Sequence, residues 1–242
     1  PAERGLVRET LPSVAIPELP ADAALYGRVL AASGLFEATT FSEEDRKRAE
    51  DYQSNAKRLA LQTSVTDIDT YLHSLNMEID FRRFDSQGRA RIAQLINKSN
   101  QFNLTTRRYS EADVAAMEDD PNLTTFQIRL KDRFSDNGMI SVVICRREGK
   151  NWQIDTWLMS CRVLGRRVEQ AVLKVLKQRA EELGIERLLG TFIPTSRNSM
   201  VKDHYHKLGF SLLEEQEEGT TQWSIQVADI SDMEVIGELI VA

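Results

Sequence analysis

Three segments in tandem, TTFQIRLKDRF (residues 124–134), MISVVICRRE (139–148) and WQIDTWLMSC (152–161), have strand length and strand patterning. The turn signals SDNG and EGKN lie between them. Short connections of this kind join antiparallel neighbours, so the middle of the chain is committed to a sheet. The pattern on either side completes an order. MEIDFRRF (77–84) alternates as a strand, and GRARIAQLINKSNQF (88–102) and SEADVAAME (110–118) have helical spacing. After the tandem strands, Val168, Ala171, Val172, Val175, Leu176, Ala180 and Leu183 fall on one helical stripe, and Gly184 is placed to end it. IERLLGTFI (185–193) reads as a strand and NSMVKDHYHKL (198–208) as a helix. FSLLEEQ (210–216) and TTQWSIQVA (220–228) read as a closing hairpin, and a terminal helix is expected from Ser231.

The other end reads differently. PAERGLVRETLPSVAIPELP carries four prolines in twenty residues and cannot be helical throughout. DAALYGRVLAAS (22–33) has helical spacing and stops at Gly34. A longer helix is predicted to about Leu61, with Ser42 as N-cap and Glu43, Glu44 and Asp45 in its first turn.

Hydrophobic residues are 41% and charged residues 28% of the 242, as in an ordinary globular protein. A net charge of −6 excludes a general nucleic-acid surface but not a local basic pocket. No apolar run approaches ~18 residues, and the first residues lack the regions of a signal peptide, so no membrane partner and a cytoplasmic location are expected. A hairpin turning near Gly149 would set Cys145 opposite about residue 153, with Cys161 well beyond, so no disulfide is predicted. The two cysteines and three histidines (His73, His204, His206) show no zinc spacing, and no metal is predicted.

LMSCRVLGRRVEQAVL (158–173) begins as a buried strand, turns at one glycine among arginines and enters the long helix. Such a junction suits a phosphate, because the first N–H groups of a helix have no internal partner and point outward. Within it, RVLGRR (162–167) resembles the acyl-CoA signature of the GNAT acyltransferases: Arg or Gln, two residues, Gly, one residue, then Gly or Ala. Arg167 departs from that pattern, standing where it has a small residue. NSMVKDHYHKLGF (198–210) resembles the later motif of the same fold, with Asn198 and Tyr205 nearly two helical turns apart. The resemblance implies a GNAT-like α/β fold: a mixed, mostly antiparallel sheet flanked by helices, here with an N-terminal helical extension. It also implies that Arg162, Val163, Leu164, Gly165, Arg166, Arg167 and Asn198 hold acyl-CoA or a phosphopantetheine arm in a cleft between the two central strands.

LINKSNQFNLTTRRY (95–109) and IDTWLMSCRVLGR, together with the opening PAERGLVRETLP, are similar to the carboxy-terminal part of the FkbH-like proteins. These join a HAD-type phosphatase domain to a GNAT-like domain. The resemblance implies that 1–36 is the remnant of the HAD-like domain, 37–75 a helical connector, 76–230 the acyltransferase domain and 231–242 a helical tail. It implies glyceryl transfer from a phosphoglyceryl donor to the phosphopantetheine thiol of an acyl carrier protein in polyketide assembly. The catalytic aspartates of the phosphatase are absent. DIDTY (67–71) has their spacing but no preceding apolar strand, so Asp67 and Asp69 are read as solvated, and no phosphatase activity is expected of this chain alone.

Several side chains are candidates for chemistry. Cys161 is either a nucleophile, since a thiol at a helix start among arginines reacts readily, or a small residue closing a strand. Tyr205 is either a proton donor to a departing thiolate or an aromatic packing on the sheet. His204 and His206 lie about 100° apart on the helix, so only one can face a cleft. Asp155 is either a general base or a strand charge; six residues from Cys161, about 20 Å along a strand, it cannot activate that thiol. Asn100, Gln101, Asn103, Thr105, Thr106 and Arg107 suit a small polyhydroxy acyl group or its phosphate, or else cap the flanking helices. Two other functions stay open: an acetyl-CoA-dependent N-acyltransferase and a non-catalytic module that docks the carrier protein.

Overall fold

The tandem strands pair as their patterning requires. The computed structural model describes residues 2–10, 15–34, 43–65 and 67–241, and the chain divides into two compact units, 1–53 and 54–242. The first contains α1 (Ala2–Thr10) and α2 (Tyr26–Ala32). Glu18 there accepts ion pairs from Arg4 and Arg8, and Gly34 ends α2 at φ +63°. α3 spans Glu43–Ser64; the expected cap Ser42 lies outside the described residues, as do the side chains of Glu43, Glu44 and Asp45.

The second unit is built on β1 (Glu78–Arg82), β2 (Leu123–Asp132), β3 (Ser135–Glu148), β4 (Asn151–Met159), β5 (Arg187–Phe192), β6 (Ser211–Glu215), β7 (Thr221–Gln226) and β8 (Glu238–Val241). They form one sheet in the order β6-β7-β5-β4-β3-β2-β1-β8, antiparallel except at β4–β5 and β1–β8. Strand alternation sends side chains to two layers. On β3, Val142 and Ile144 join Ile92, Leu95 and Ile96 of α5 (Arg89–Lys98) and Val114 and Met117 of α6 (Glu111–Glu118). Val143 and Cys145 join Trp157 and the stripe of α7 (Val168–Glu182) in the other layer. Ser110 and Asp113 close a capping box on α6. This is the expected fold class, a mixed, mostly antiparallel sheet flanked by helices with an N-terminal helical extension. Among the described residues no helix is long and apolar enough to cross a membrane.

Four local expectations are corrected. The turn between β2 and β3 falls at Arg133–Phe134 rather than at SDNG, because Asp132 accepts the N–H groups of Phe134 and Ser135 and so folds the chain earlier; Gly138 instead sits in an irregular part of β3. The tail is not helical but ends in β8, which runs parallel to β1. At Gly237 (φ +122°) a Cβ would stand 2.9 Å from the Met77 carbonyl oxygen, so only glycine lets the tail lie against β1. The long helix starts at Val168, not near Gly165, after a 3-10 turn at Cys161–Val163. NSMVKDHYHKL is a 3-10 turn at Ser199–Val201 followed by a short α8 (His204–Lys207), so Asn198 and Tyr205 are not joined by one continuous helix.

β5 is sculpted around one aromatic ring. A Cβ on Gly190 would lie 2.3 Å from Cζ of Tyr205, whose side chain is fully buried. Gly190→Ala must displace that ring and is expected to lower stability by about 1–3 kcal/mol through overpacking. Urea denaturation checks this; an unchanged midpoint would refute the close contact.

Candidate active site

The parallel strands β4 and β5 pair only as far as Ile154 and Gly190, and β4 then runs on to Met159 paired with β3 but not with β5. The divergence is there, as the resemblance implies, but it is filled. Phe102–Thr105 lies in it as a strand-like segment, joined to β4 by an isolated bridge. The Leu104 N–H donates to Trp157 O (3.1 Å), the Met159 N–H to Phe102 O (3.0 Å) and the Ile193 N–H to Leu104 O (2.8 Å). Asn103 pairs antiparallel with Leu158. Asn103 and Leu104 are inaccessible to solvent, and Phe102 and Thr105 are buried. Each large apolar side chain hidden in this way contributes about 1.5–3 kcal/mol, and each hydrogen bond about 1 kcal/mol more. The segment is therefore part of the sheet.

Several predicted site residues hold this strand in place instead of facing a ligand. Asn198 is fully buried; its Nδ2 donates to Asn103 O (3.0 Å) and Ile193 O (2.9 Å), and its Oδ1 accepts the Thr195 N–H (2.7 Å). Thr105 Oγ1 donates to Asp155 O (2.8 Å), and Asn103 Oδ1 accepts the N–H of Thr106, a residue at φ +54°. The Asp155 carboxylate is buried and accepts from Arg107, Tyr109 Oη (2.8 Å) and Thr156 Oγ1 (3.0 Å). It anchors the loop and is not a free base. Burial, and then the hydrogen bond to Asp155, push the Tyr109 phenol up.

Tyr205 and His204 are likewise interior. Tyr205 packs among Trp157, His204, Phe210 and Trp223, and burial pushes its phenol well up. His204 meets Phe102 and Trp157 edge-on, and burial, helped by the Lys207 charge, pushes it down to about 3. Among the described residues, Trp157 Nε1 and His204 Nε2 are buried without hydrogen-bond partners. His206 faces outward near Trp223. Neither Tyr205 nor His204 is therefore presented to an open site.

The anion loop is also largely engaged. Val163 is buried and Leu164 packs on the core. Arg166 is buried on Asp132 (2.8 Å) and donates to Arg162 O. Arg167, at φ +57°, pairs with Asp69, so that aspartate is not simply solvated; Asp67 is exposed and caps α4 (Ile68–Ser74). Gly165 stands open at φ +76°, and the N–H groups of Val168 and Glu169 have no partner inside α7. Coenzyme A laid between β4 and β5 does not fit these residues, because the polar edge of β4 is already paired and two of the three loop arginines serve aspartates.

What remains open is a cleft of about 790 Å³ beside the filled divergence. Its walls are α5 (Arg91, Gln94, Lys98), the turn Ser99–Phe102, the end of β4 through Arg162, and Ser196–Arg197. Cys161, predicted as a nucleophile, is exposed on this wall, and Asn100, Gln101 and Arg162 line it too. Cys145, by contrast, is core, with its thiol pushed up by burial. No carboxylate lines the cleft among the described residues. Partial burial, and then the charge of Arg162, push the Arg91 guanidinium down. The cleft suits an anionic or polyhydroxy group beside a thiol. Gln94, Lys98, Arg197 and Arg91 were missed from sequence; the legible signal was the spacing of Arg91, Gln94 and Lys98 at i, i+3 and i+7, which puts them on one face of α5. No group of three or more His, Cys, Asp or Glu side chains among the described residues could hold a metal ion.

No family model and no curated protein matches the chain. Among solved structures it is similar to the ribosomal-protein-S18-alanine N-acetyltransferase of Escherichia coli, at 13% identity over 64% of this chain and 97% of that one (TM-score 0.47). It is similar to the GNAT domain of S. lividans PAT, at 17% identity over 60% and 89% (TM-score 0.47). It is also similar to the PaiA N-acetyltransferase of Thermoplasma acidophilum, solved in complex with coenzyme A, at 12% identity over 61% and 98% (TM-score 0.43). Likenesses at this level concern the path of the chain, and the chemistry of the cleft rests on its own residues.

Proposed function

We propose that the chain is an acyltransferase that moves a glyceryl-type acyl group to the phosphopantetheine thiol of an acyl carrier protein, working beside a HAD-type phosphatase domain in the cytoplasm. One observation carries the reading: the exposed thiol of Cys161 opens onto a cleft lined by Arg91, Lys98, Arg162 and Arg197 with amides and hydroxyls between them. Cations along the cleft can stabilise the oxyanion that forms when the Cys161 sulfur attacks a carbonyl. With an acyl phosphate as donor, the Cys161 sulfur bonds to the acyl carbon, the carbon–oxygen bond to phosphate breaks, and phosphate leaves with the electron pair. The Cys161 proton goes to the departing phosphate; the carrier's thiol, as second substrate, then takes the acyl group and passes its own proton to the Cys161 sulfur, which returns as the thiol.

Intact-mass spectrometry of the full-length protein supplied with the glyceryl donor tests this. An acyl adduct mapped to Cys161, absent from Cys161→Ala, is the expected result, with product formation in that variant falling at least a hundredfold, within the range ordinary for loss of a nucleophile. Product formed by Cys161→Ala at the wild-type rate would leave only a docking role. A second reading, N-acyl transfer from acetyl-CoA bound outside the filled divergence, draws on the open Gly165 and on the first N–H groups of α7, which have no partner inside that helix. It predicts release of free thiol from acetyl-CoA with a primary amine.

A further inference from the structure

We infer that Phe102–Thr105 is a resident strand that stands in for a thiol-bearing arm between β4 and β5, and that it excludes coenzyme A from that position and directs any acyl acceptor to the Arg91–Cys161–Arg197 cleft. The exclusion stands on geometry alone; the direction of the acceptor rests on the acyltransferase reading. An extended amide-containing arm beside β4 would need the Trp157 carbonyl and the Met159 N–H, which β4 presents on that side. Both are taken, by Leu104 N–H and Phe102 O. The far edge of the segment is taken as well, since Leu104 O holds the Ile193 N–H. A lid keeps one free edge or one free end. This segment has neither: Asn103 Nδ2 donates to Ser99 O (3.2 Å), and Thr105, Arg107 and Tyr109 are tied to Asp155.

Asn198 is the positioning residue of this arrangement. A single amide joins the resident strand (Asn103 O), the chain just beyond β5 (Ile193 O) and the turn at Thr195. The side chain that sequence places at a cofactor thus closes the place where the cofactor would lie. The Phe102 ring on His204 and the side chain of Leu104 fill the same space with apolar atoms, which a polar arm could not replace without stranding them in water.

Amide hydrogen exchange on the full chain, with and without millimolar coenzyme A, tests the inference. The Leu104, Met159 and Ile193 amides are expected in the slowest-exchanging class, with rates unchanged by coenzyme A. Asn198→Ala is expected to speed the Leu104 and Ile193 amides about tenfold, the effect of losing roughly one net hydrogen bond. Should that variant fail to fold, Thr105→Val removes only the hydroxyl bond to Asp155 and should speed the Leu104 amide in the same direction. Coenzyme A that binds without changing these rates sits outside the divergence and supports the resident strand. Coenzyme A that deprotects all three amides, or fast exchange in the free protein, overturns it by showing a displaceable lid. Neither readout uses turnover, so loss of the Cys161 adduct and loss of the resident strand are separable results.

Discussion

Asp132→Ala is expected to lower the stability of the second unit by about 3–5 kcal/mol, the usual result of removing one partner from a buried ion pair. The carboxylate is fully buried between two arginines. Arg58 of α3 reaches it through Nε (3.0 Å) and Nη2 (2.8 Å), and Arg166 through Nη1 (2.8 Å). The Phe134 and Ser135 N–H groups and the Asn137 amide complete its shell. Alanine leaves two guanidinium groups, each with a side chain only 7% exposed, facing one another without an anion. Urea denaturation followed by tryptophan fluorescence measures the loss, and a change below about 1 kcal/mol would contradict the geometry. Burial alone would raise the Asp132 carboxyl, but the hydrogen bonds from Phe134 and Asn137 and the charges of Arg58 and Arg166 hold it below the ordinary 3.8. A carboxyl depressed by folding contributes in full above its unfolded value and loses that contribution as pH falls through the folded one. The Asp132-linked loss therefore lies below about pH 4 and vanishes in the alanine variant.

The second large effect lies at milder acidity. Burial, and then the Lys207 charge, move His204 from its ordinary 6.5 to about 3. The unfolded chain takes up a proton there that the folded chain refuses, so the folded state loses about 1.4 kcal/mol per pH unit from about pH 6.5 downward, on the order of 5 kcal/mol by pH 3. His204→Phe keeps an aromatic ring against Phe102 and Trp157, removes the unpaired Nε2 and should flatten this limb. Stability against pH from 7 to 4 gives the comparison. Parallel curves for the two proteins would place the acid sensitivity elsewhere.

The element order was legible because each segment carries its own period. Val168 to Ala180 repeat at helical spacing and are buried; the patterned residues 139–148 form most of β3. The terminal strand was misread because an apolar run such as Val235, Ile236, Ile240 and Val241 does not distinguish strand from helix until β1 offers an unpaired edge. The cleft was half legible. Cys161, Asn100, Gln101 and Arg162 were read from sequence, whereas Arg91, Gln94, Lys98 and Arg197 needed the fold to bring α5 and the 196–197 turn to the same opening. Asn198 and Tyr205 are candidates through the resemblance, Asn103 through a cluster of polar residues and Asp155 as a strand carboxylate, yet all four are buried. A polar side chain buried against main chain and one held out to a ligand look the same in one dimension.

The sequence by itself determined the two-layered sheet, the strand–turn–helix junction and a thiol set among arginines, because these depend on periodicity and neighbours a few residues apart. Only the tertiary structure decided what occupies the opening between β4 and β5, and which loop arginines reach Asp132 and Asp69. Those outcomes turn on partners far apart in the chain: Asn198 with Asn103, 95 residues away, and Arg166 with Asp132, 34 residues away. Burial and hydrogen-bond satisfaction, the forces that choose such partners, act only once the elements have packed.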